Sequence, residues 1–532
     1  MLSFLIAAFV ATSANAQAFA NYAADPHARY QELNFNTYST PKDQINPYVT
    51  ALSNFSDGVI SGAVPFDQEM SFDKLMQIVQ DKKLTRVEQV IAELPSNMLN
   101  ENYVLMYRSR SLQDASFLEP RAIVFTPTAS FALSFNSGDI KQKGSNSIEM
   151  VQFRYDQKRF EFRELTFDGQ NVPKPSAANP RKCLACHQSP DRSDVDPRPN
   201  WEPYKVWIGA YGSNGGALTD SLRNQMHMGI ELPQDKEVLD EQTHEVESYD
   251  QFAKQTKPTN PRYSLLGSFR SDAPSALTEG FTILDFMRVL RIVSSDSEIY
   301  PLYRETLAGM SHCDSPSVDE NPALAWFIDF KYPQYYDYTQ YEMSVWGHLG
   351  AASNILTYLF EAIGVDTSDW SLDFGTGGRF ALFERFGTPN YTMAAFHHAW
   401  TEAVPDAAEL AKRSCDDVYA SGLAKLNAAY ADGTLAKLRL ERFKPVATGP
   451  EVLQRCVKCH VDPSEGIPAL PFDNLATLGK KLSQPFSKHG TFFDEIVYRT
   501  SDMALQDERM PANRRLTKVE RENFLSYLKT LQ

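Results

Sequence analysis

The sequence predicts a multidomain α+β protein, with a β-containing N-terminal region, a helical middle domain and an all-α C-terminal domain. Three observations carry this expectation. The chain has 532 residues and 60.0 kDa of mass, more than one hydrophobic core supports and about three domains at ~100–200 residues each. Apolar residues alternate in the first third, and helical spacing takes over from about Leu277. The Pro- and Gly-punctuated stretch from Phe443-Lys444-Pro445 to Gly449-Pro450 then sets off a last unit.

The N-terminus reads MLSFLIAAFVATSANA over residues 1–16, and no charged side chain appears before Asp25. The apolar run from Leu2 to Ala11 leads into Ala14-Asn15-Ala16, a small-x-small cleavage pattern, and Ala18-Phe19-Ala20 offers a second cut. No Lys or Arg precedes the run, so only the α-amino group supplies positive charge there. The run is short of the ~20 apolar residues that a bilayer requires. Residues 1–16 are therefore expected to be a signal peptide, with a buried N-terminal helix as the rival reading. The mature chain is expected to be periplasmic or otherwise exported, soluble, and without a transmembrane anchor.

Residues 17–182 are read as a β-rich N-terminal domain. Phe131, Leu133 and Phe135 alternate, as do Val151, Phe153 and Tyr155; Phe160 and Phe162 follow after Asp156-Gln157-Lys158, which predicts a hairpin. Residues 168–182 form a Pro/Asn/Gly-rich loop. Residues 183–265 look loop-rich, with Pro190, Pro197, Pro199 and Pro203 and the turn stretch Gly212-Ser213-Asn214-Gly215-Gly216. Residues 266–444 are read as the helical domain, with Trp346, Leu349, Leu356, Phe360 and Ile363 at helical spacing and an Ala-rich stretch over 402–435. Residues 445–532 form the separate C-terminal unit.

Composition excludes several classes. With 42% apolar and 22% charged residues the chain is neither wholly disordered nor collagen-like. A net charge of −15 makes nucleic acid an unsuitable partner.

The chemistry is concentrated in the cysteines. Cys183-Leu184-Ala185-Cys186-His187 and Cys456-Val457-Lys458-Cys459-His460 are both C-x-x-C-H, the attachment signature of c-type haem. Two thiols three residues apart reach the two vinyl groups on one porphyrin edge, and the adjacent histidine falls under the iron as its proximal ligand. With six Cys and ten His in the chain, chance supplies on the order of 10⁻³ such motifs. Zinc is the rival use of paired cysteines, but neither motif has a second Cys pair nearby. A thioredoxin-like pair would have no reason for the histidine. The expectation is two covalently bound haem c groups, attached outside the cytoplasm in agreement with export. The remaining Cys313 and Cys415 are expected to pair in an oxidising compartment, closing a loop worth up to ~4–5 kcal/mol in the entropic account; two buried thiols are the alternative.

The last unit carries a family resemblance. Gly449 to Arg455 leads as a short helix into Cys456–His460, Gly466-Ile467-Pro468 follows, Met510-Pro511 comes later, and Thr517-Lys518-Val519-Glu520 opens a closing helix with Phe524, Leu528 and Leu531 on one face. Residues 449–532 thereby resemble a class I cytochrome c domain. The resemblance implies that the Pro468 carbonyl accepts the His460 Nδ1–H, that Met510 is the sixth ligand of that iron, and that the closing helix packs across the first. Met503 is the rival thioether. The Pro/aromatic stretch after the first motif resembles only uncharacterised exported c-haem proteins.

The sixth ligand of the first haem is less legible. His227, in Met226-His227-Met228 at the end of a short predicted helix, is the candidate metal ligand, with His348, His397, His398, Tyr204 and Tyr211 as alternatives and an open site as another. The loop Asp373 to Arg379 is read as a turn, and the tyrosines between Tyr332 and Tyr341 as packing. Lys480, Lys481 and Lys488, with Arg509, Arg514 and Arg515, could ring the second haem and dock an acidic redox partner protein, or form a solvated face. The leading expectation is a dihaem c-type cytochrome that passes electrons. The runner-up is a haem enzyme of peroxidase or oxygenase type, with the first haem open and the second feeding it. A ligand-recognising redox sensor is a third class.

Overall fold

The computed structural model describes residues 69–108, 111–188, 197–199, 209–211, 248–269, 273–312, 399–435, 437–438, 447–460, 469–501, 510, 516 and 518–532. The chain divides into two units. One comprises Asn46–Arg288, Val365–Arg385 and Lys444–Gln532, and the other comprises Met1–Ile45, Val289–Gly364 and Phe386–Phe443.

The first unit begins with helix α1 (Phe72–Asp81). Ser71 caps it by accepting a hydrogen bond from Lys74 N–H at 3.2 Å. Phe72, Leu75, Met76 and Val79 recur at helical spacing and are buried on one face. Two short helices follow, α2 (Val87–Ile91) and α3 (Ser96–Asn100). The chain then lays down a five-stranded antiparallel meander in the order β1 (Tyr103–Met106), β2 (Arg121–Phe125), β3 (Phe131–Phe135), β4 (Ser147–Arg154) and β5 (Arg159–Thr166).

Register explains why β1 to β3 are buried almost throughout. Leu105, Ala122, Phe135 and Ile148 lie on one face, with Tyr103, Val124, Leu133, Met150 and Leu165, and join α1–α3 in a single core. The opposite face carries Ile123, Phe125, Val151, Phe153, Phe160 and Phe162, which are buried as well. A sheet covered on both sides needs apolar residues on both sides. The predicted hairpin is β4–β5: Arg154 pairs with Arg159 and Phe153 with Phe160.

Both outer strands are paired beyond the meander. On β5, Leu165 bridges to Pro175, Ser176 N–H donates to Glu164 O at 2.9 Å and Asn179 N–H to Phe162 O at 2.8 Å. On β1, Met106 bridges to Ala210, and Tyr211 N–H donates to Leu105 O at 2.9 Å. Between these two stretches in sequence lies α4 (Arg181–His187), the helix of the first motif. The long helix α5 (Ala273–Ser295) places Phe281 edge-on to Phe160, 5.9 Å between ring centres.

The C-terminal part of this unit contains α9 (Gly449–His460), α10 (Leu475–Leu482), a small β6–β7 hairpin (Pro485–Ser487, Gly490–Thr491), α11 (Phe492–Arg499) and α12 (Lys518–Leu531). Val452 and Leu453 of α9 pack with Phe524 and Leu528 of α12 in one core, with Leu531 beside it. The two helices approach so closely at Gly449 that a Cβ there would lie 2.3 Å from Tyr527 Cβ. Arg455 and Glu520 join them through a buried ion pair at 3.0 Å.

In the second unit, α6 (Tyr300–His312), α7 (Ala407–Leu410) and α8 (Cys415–Ala431) are described. α6 and α8 run antiparallel in close contact: a Cβ on Gly309 would lie 2.6 Å from Tyr419, and one on Gly422 2.6 Å from Thr306. Cys415, the first residue of α8, is disulfide-bonded; Cys313 lies outside the described residues, directly after the last residue of α6. Buried Glu305 is held by Lys425 at 2.6 Å. Among the described residues no helix is long and apolar enough to cross a membrane. The N-terminal segment 1–16, the helical stretch 343–363, the Asp373–Arg379 turn and the tyrosines 332–341 lie outside the described residues.

Candidate functional site

The first motif closes a seven-residue helix. Pro180 precedes α4, Cys183 N–H and Leu184 N–H donate to Pro180 O, and His187 is the last helical residue. Asn179, just ahead, fastens this start to β5 through its side chain, which accepts from Phe162 N–H at 2.8 Å. Lys182 pairs with Glu164 on the same strand. The helix therefore sits on the sheet face that carries Phe162, and the His187 ring stacks on that phenyl ring at 4.2 Å and 20°.

His187 is fixed at both its backbone and its ring. Its carbonyl accepts from Arg198 N–H at 2.8 Å, and its Nδ1 lies 2.9 Å from Arg198 O. A carbonyl oxygen only accepts, so Nδ1 carries the proton and Nε2 presents its lone pair. Burial pushes the imidazole down to about 4, with the charges of Arg121 and Arg198 acting in the same direction. The ring is therefore neutral at pH 7, the form in which histidine ligates iron. Arg121 is held on the same sheet face by Glu149 at 2.7 Å, Ser134 at 2.7 Å and Gln113 at 3.2 Å.

The second motif closes α9 in the same manner, with His460 as its last residue. Its carbonyl accepts from Leu470 N–H at 2.7 Å, and its ring meets Phe472 edge-on at 5.6 Å. Cys183 and Cys456 are half-buried thiols rather than half-cystines. Cys186 and Cys459 belong to the same two helices. Half-buried Met510 is tied to the end of α11, its N–H donating to Arg499 O at 2.7 Å.

A donor set of paired thiols with a neutral, oriented imidazole at a helix end fits a covalently attached haem. Among the described residues no three His, Cys, Asp or Glu side chains cluster to hold a bare metal ion. His227, His348, His397, His398, Tyr204, Met503, Gly466, Pro468, Pro511, Thr517, Arg509, Arg514 and Arg515 lie outside the described residues. Tyr211 is described, and its role is packing: its hydroxyl donates to Phe117 O at 2.7 Å inside the sheet core. Lys481 lies over the Phe486 and Phe492 rings, 5.4 Å from each centre.

Three features escaped the sequence reading. The acceptor for His187 is a main-chain carbonyl, and its only signal is Pro199, which biases Arg198 toward extended backbone. Phe162 read as a strand residue and is also the platform for the histidine. Helices α4 and α9, far apart in sequence, approach each other, with Cα atoms within 8 Å. Comparison of the chain with protein families, with characterised proteins and with solved structures found no match to any of them.

Proposed function

We propose that the protein is an exported dihaem c-type cytochrome that carries electrons, with one haem on Cys183, Cys186 and His187 and the other on Cys456, Cys459 and His460. The observation that carries the reading is the seating of His187: a neutral imidazole at the end of a C-x-x-C-H helix, with Nδ1 on a carbonyl, one ring face on Phe162 and Nε2 left to ligate. Bound at these helices, each haem supplies a one-electron ferric/ferrous couple.

The chain's own residues do the rest. Cys183, Cys186, Cys456 and Cys459 would hold the haems covalently, and His187 and His460 would each offer a nitrogen to an iron. Arg198 O keeps the His187 ring from rotating, which lowers the rearrangement that accompanies a redox change. Met510 would supply a thioether to the C-terminal iron, which would favour its ferrous state. The port for an acidic redox protein is the lysine-bearing face of the C-terminal unit, at Lys480 and Lys488. Export follows from residues 1–16 and from the location of thioether attachment.

Intact mass of protein matured in an exporting host tests this. The expected mass is the cleaved chain plus two haems, and Cys183→Ala with Cys186→Ala removes one. One haem or none in the unaltered chain overturns the proposal. Met510→Ala is expected to remove the sulfur–iron charge-transfer band, lower the potential and admit cyanide. Rapid carbon monoxide binding at one haem, together with peroxide turnover, would replace the carrier with the haem-enzyme reading.

A further inference from the structure

Helices α4 and α9 are far apart in the chain, one on the five-stranded sheet and one in the C-terminal helical core. They nevertheless belong to one unit and lie against each other, with Cα atoms within 8 Å. Each ends in the histidine of a C-x-x-C-H motif. A cysteine side chain is a single carbon and a sulfur long, so a group tethered through two of them stays at the helix that holds it.

We propose that the α4–α9 contact makes the two sites one coupled redox pair, in which the oxidation state at either helix sets the potential at the other. This rests on the dihaem reading above. With both haems bound, exchange would balance within the protein: the electron lost by a ferrous site would be the one gained by a ferric site, with no proton and no external reagent. The electrostatic consequence follows from Coulomb's law. A site that gains an electron loses a unit of positive charge, and its neighbour across a protein interior feels the change. Reduction of one site is expected to make reduction of the other roughly tenfold less favourable, ~59 mV for one electron.

Potentiometric titration of the full-length chain, with dithionite as reductant and spectra recorded at both haems, measures this. The C-terminal haem is compared in the unaltered protein and in the variant Cys183→Ala with Cys186→Ala, after haem counting by mass. The expected result is two haems in the former, one in the latter, and a C-terminal potential displaced by tens of millivolts between them. Equal potentials in the two proteins overturn the coupling while leaving the dihaem reading intact. A single haem in the unaltered protein overturns both. Electron paramagnetic resonance of the fully ferric unaltered protein needs no variant. Mutual broadening of the two low-spin signals supports the pair, and two independent, unbroadened signals overturn it.

Discussion

Glu520→Gln isolates the consequence of burying the charge that joins the first and last helices of the C-terminal unit. Glu520 accepts from Arg455 Nη2 at 3.0 Å, and the two side chains are 3% and 7% exposed. An exposed pair is worth ~0–1 kcal/mol. Removing one member of a buried pair costs about 3–5 kcal/mol, because the partner charge stays in the interior and loses that counter-charge. The loss is expected to fall on α9 and α12 and to leave the five-stranded sheet unaffected. Amide hydrogen exchange on the full chain reads this locally, as a rise in the opening constant of α9 and α12 of roughly 10²- to 10⁴-fold. The double variant Arg455→Met with Glu520→Leu fills the same space with apolar atoms and is expected to recover most of the protection. A single-variant cost below ~1 kcal/mol would show that water reaches the pair. A double variant as unprotected as the single one would show that the charges themselves are not what the interior responds to.

Three further outcomes are expected. Burial alone would raise the Glu88 carboxyl, but the hydrogen bond and charge of Arg262 hold it below its usual 4.5; its contribution is complete above about pH 4.5 and is lost as pH falls through the lowered value. Glu88→Gln should therefore flatten the acid side of a urea-midpoint profile of the sheet, and an unchanged slope would refute the pairing. Peptide mapping under non-reducing conditions should recover Cys313 linked to Cys415, because Cys415 is disulfide-bonded and Cys313 is the one other cysteine outside the two C-x-x-C-H motifs; two alkylated thiols would refute it. Gly449→Ala should cost about 1–3 kcal/mol by overpacking against Tyr527, read as lost exchange protection in α9 and α12, and a neutral effect would mean that the crossing can open.

What was legible in the sequence follows from what each element buries. The hairpin of β4 and β5 and the strand Phe131–Phe135 were readable from alternating aromatics, and the closing helix from Phe524, Leu528 and Leu531. Strands β1 and β2 were not: YVLM, and AIVF after Arg121, are unbroken apolar runs buried on both faces, and such runs have no period to detect. Helix α1 went unread although Ser71 caps it and its apolar face is regular. The motif residues were plain because C-x-x-C-H is a contiguous pattern of fixed spacing that occurs twice. The setting of His187 was not, because a carbonyl has no side-chain signature and Phe162 looks the same in sequence whether it fills a core or supports a ring. The approach of α4 to α9 is a property of the folded chain alone.

The two stretches that pair with the outer strands, 175–179 on β5 and 209–211 on β1, stand on either side of α4 in the chain. An antiparallel sheet with bare edges recruits further strands, from its own copies first. Here the same length of chain that bears Cys183 and His187 also seals both edges. During synthesis the sheet has an open side until residue 211 has emerged and folded back. Whatever unseats α4 afterwards exposes hydrogen-bonding edges as well as a histidine. A change that frees these two edge stretches is therefore expected to show as self-association.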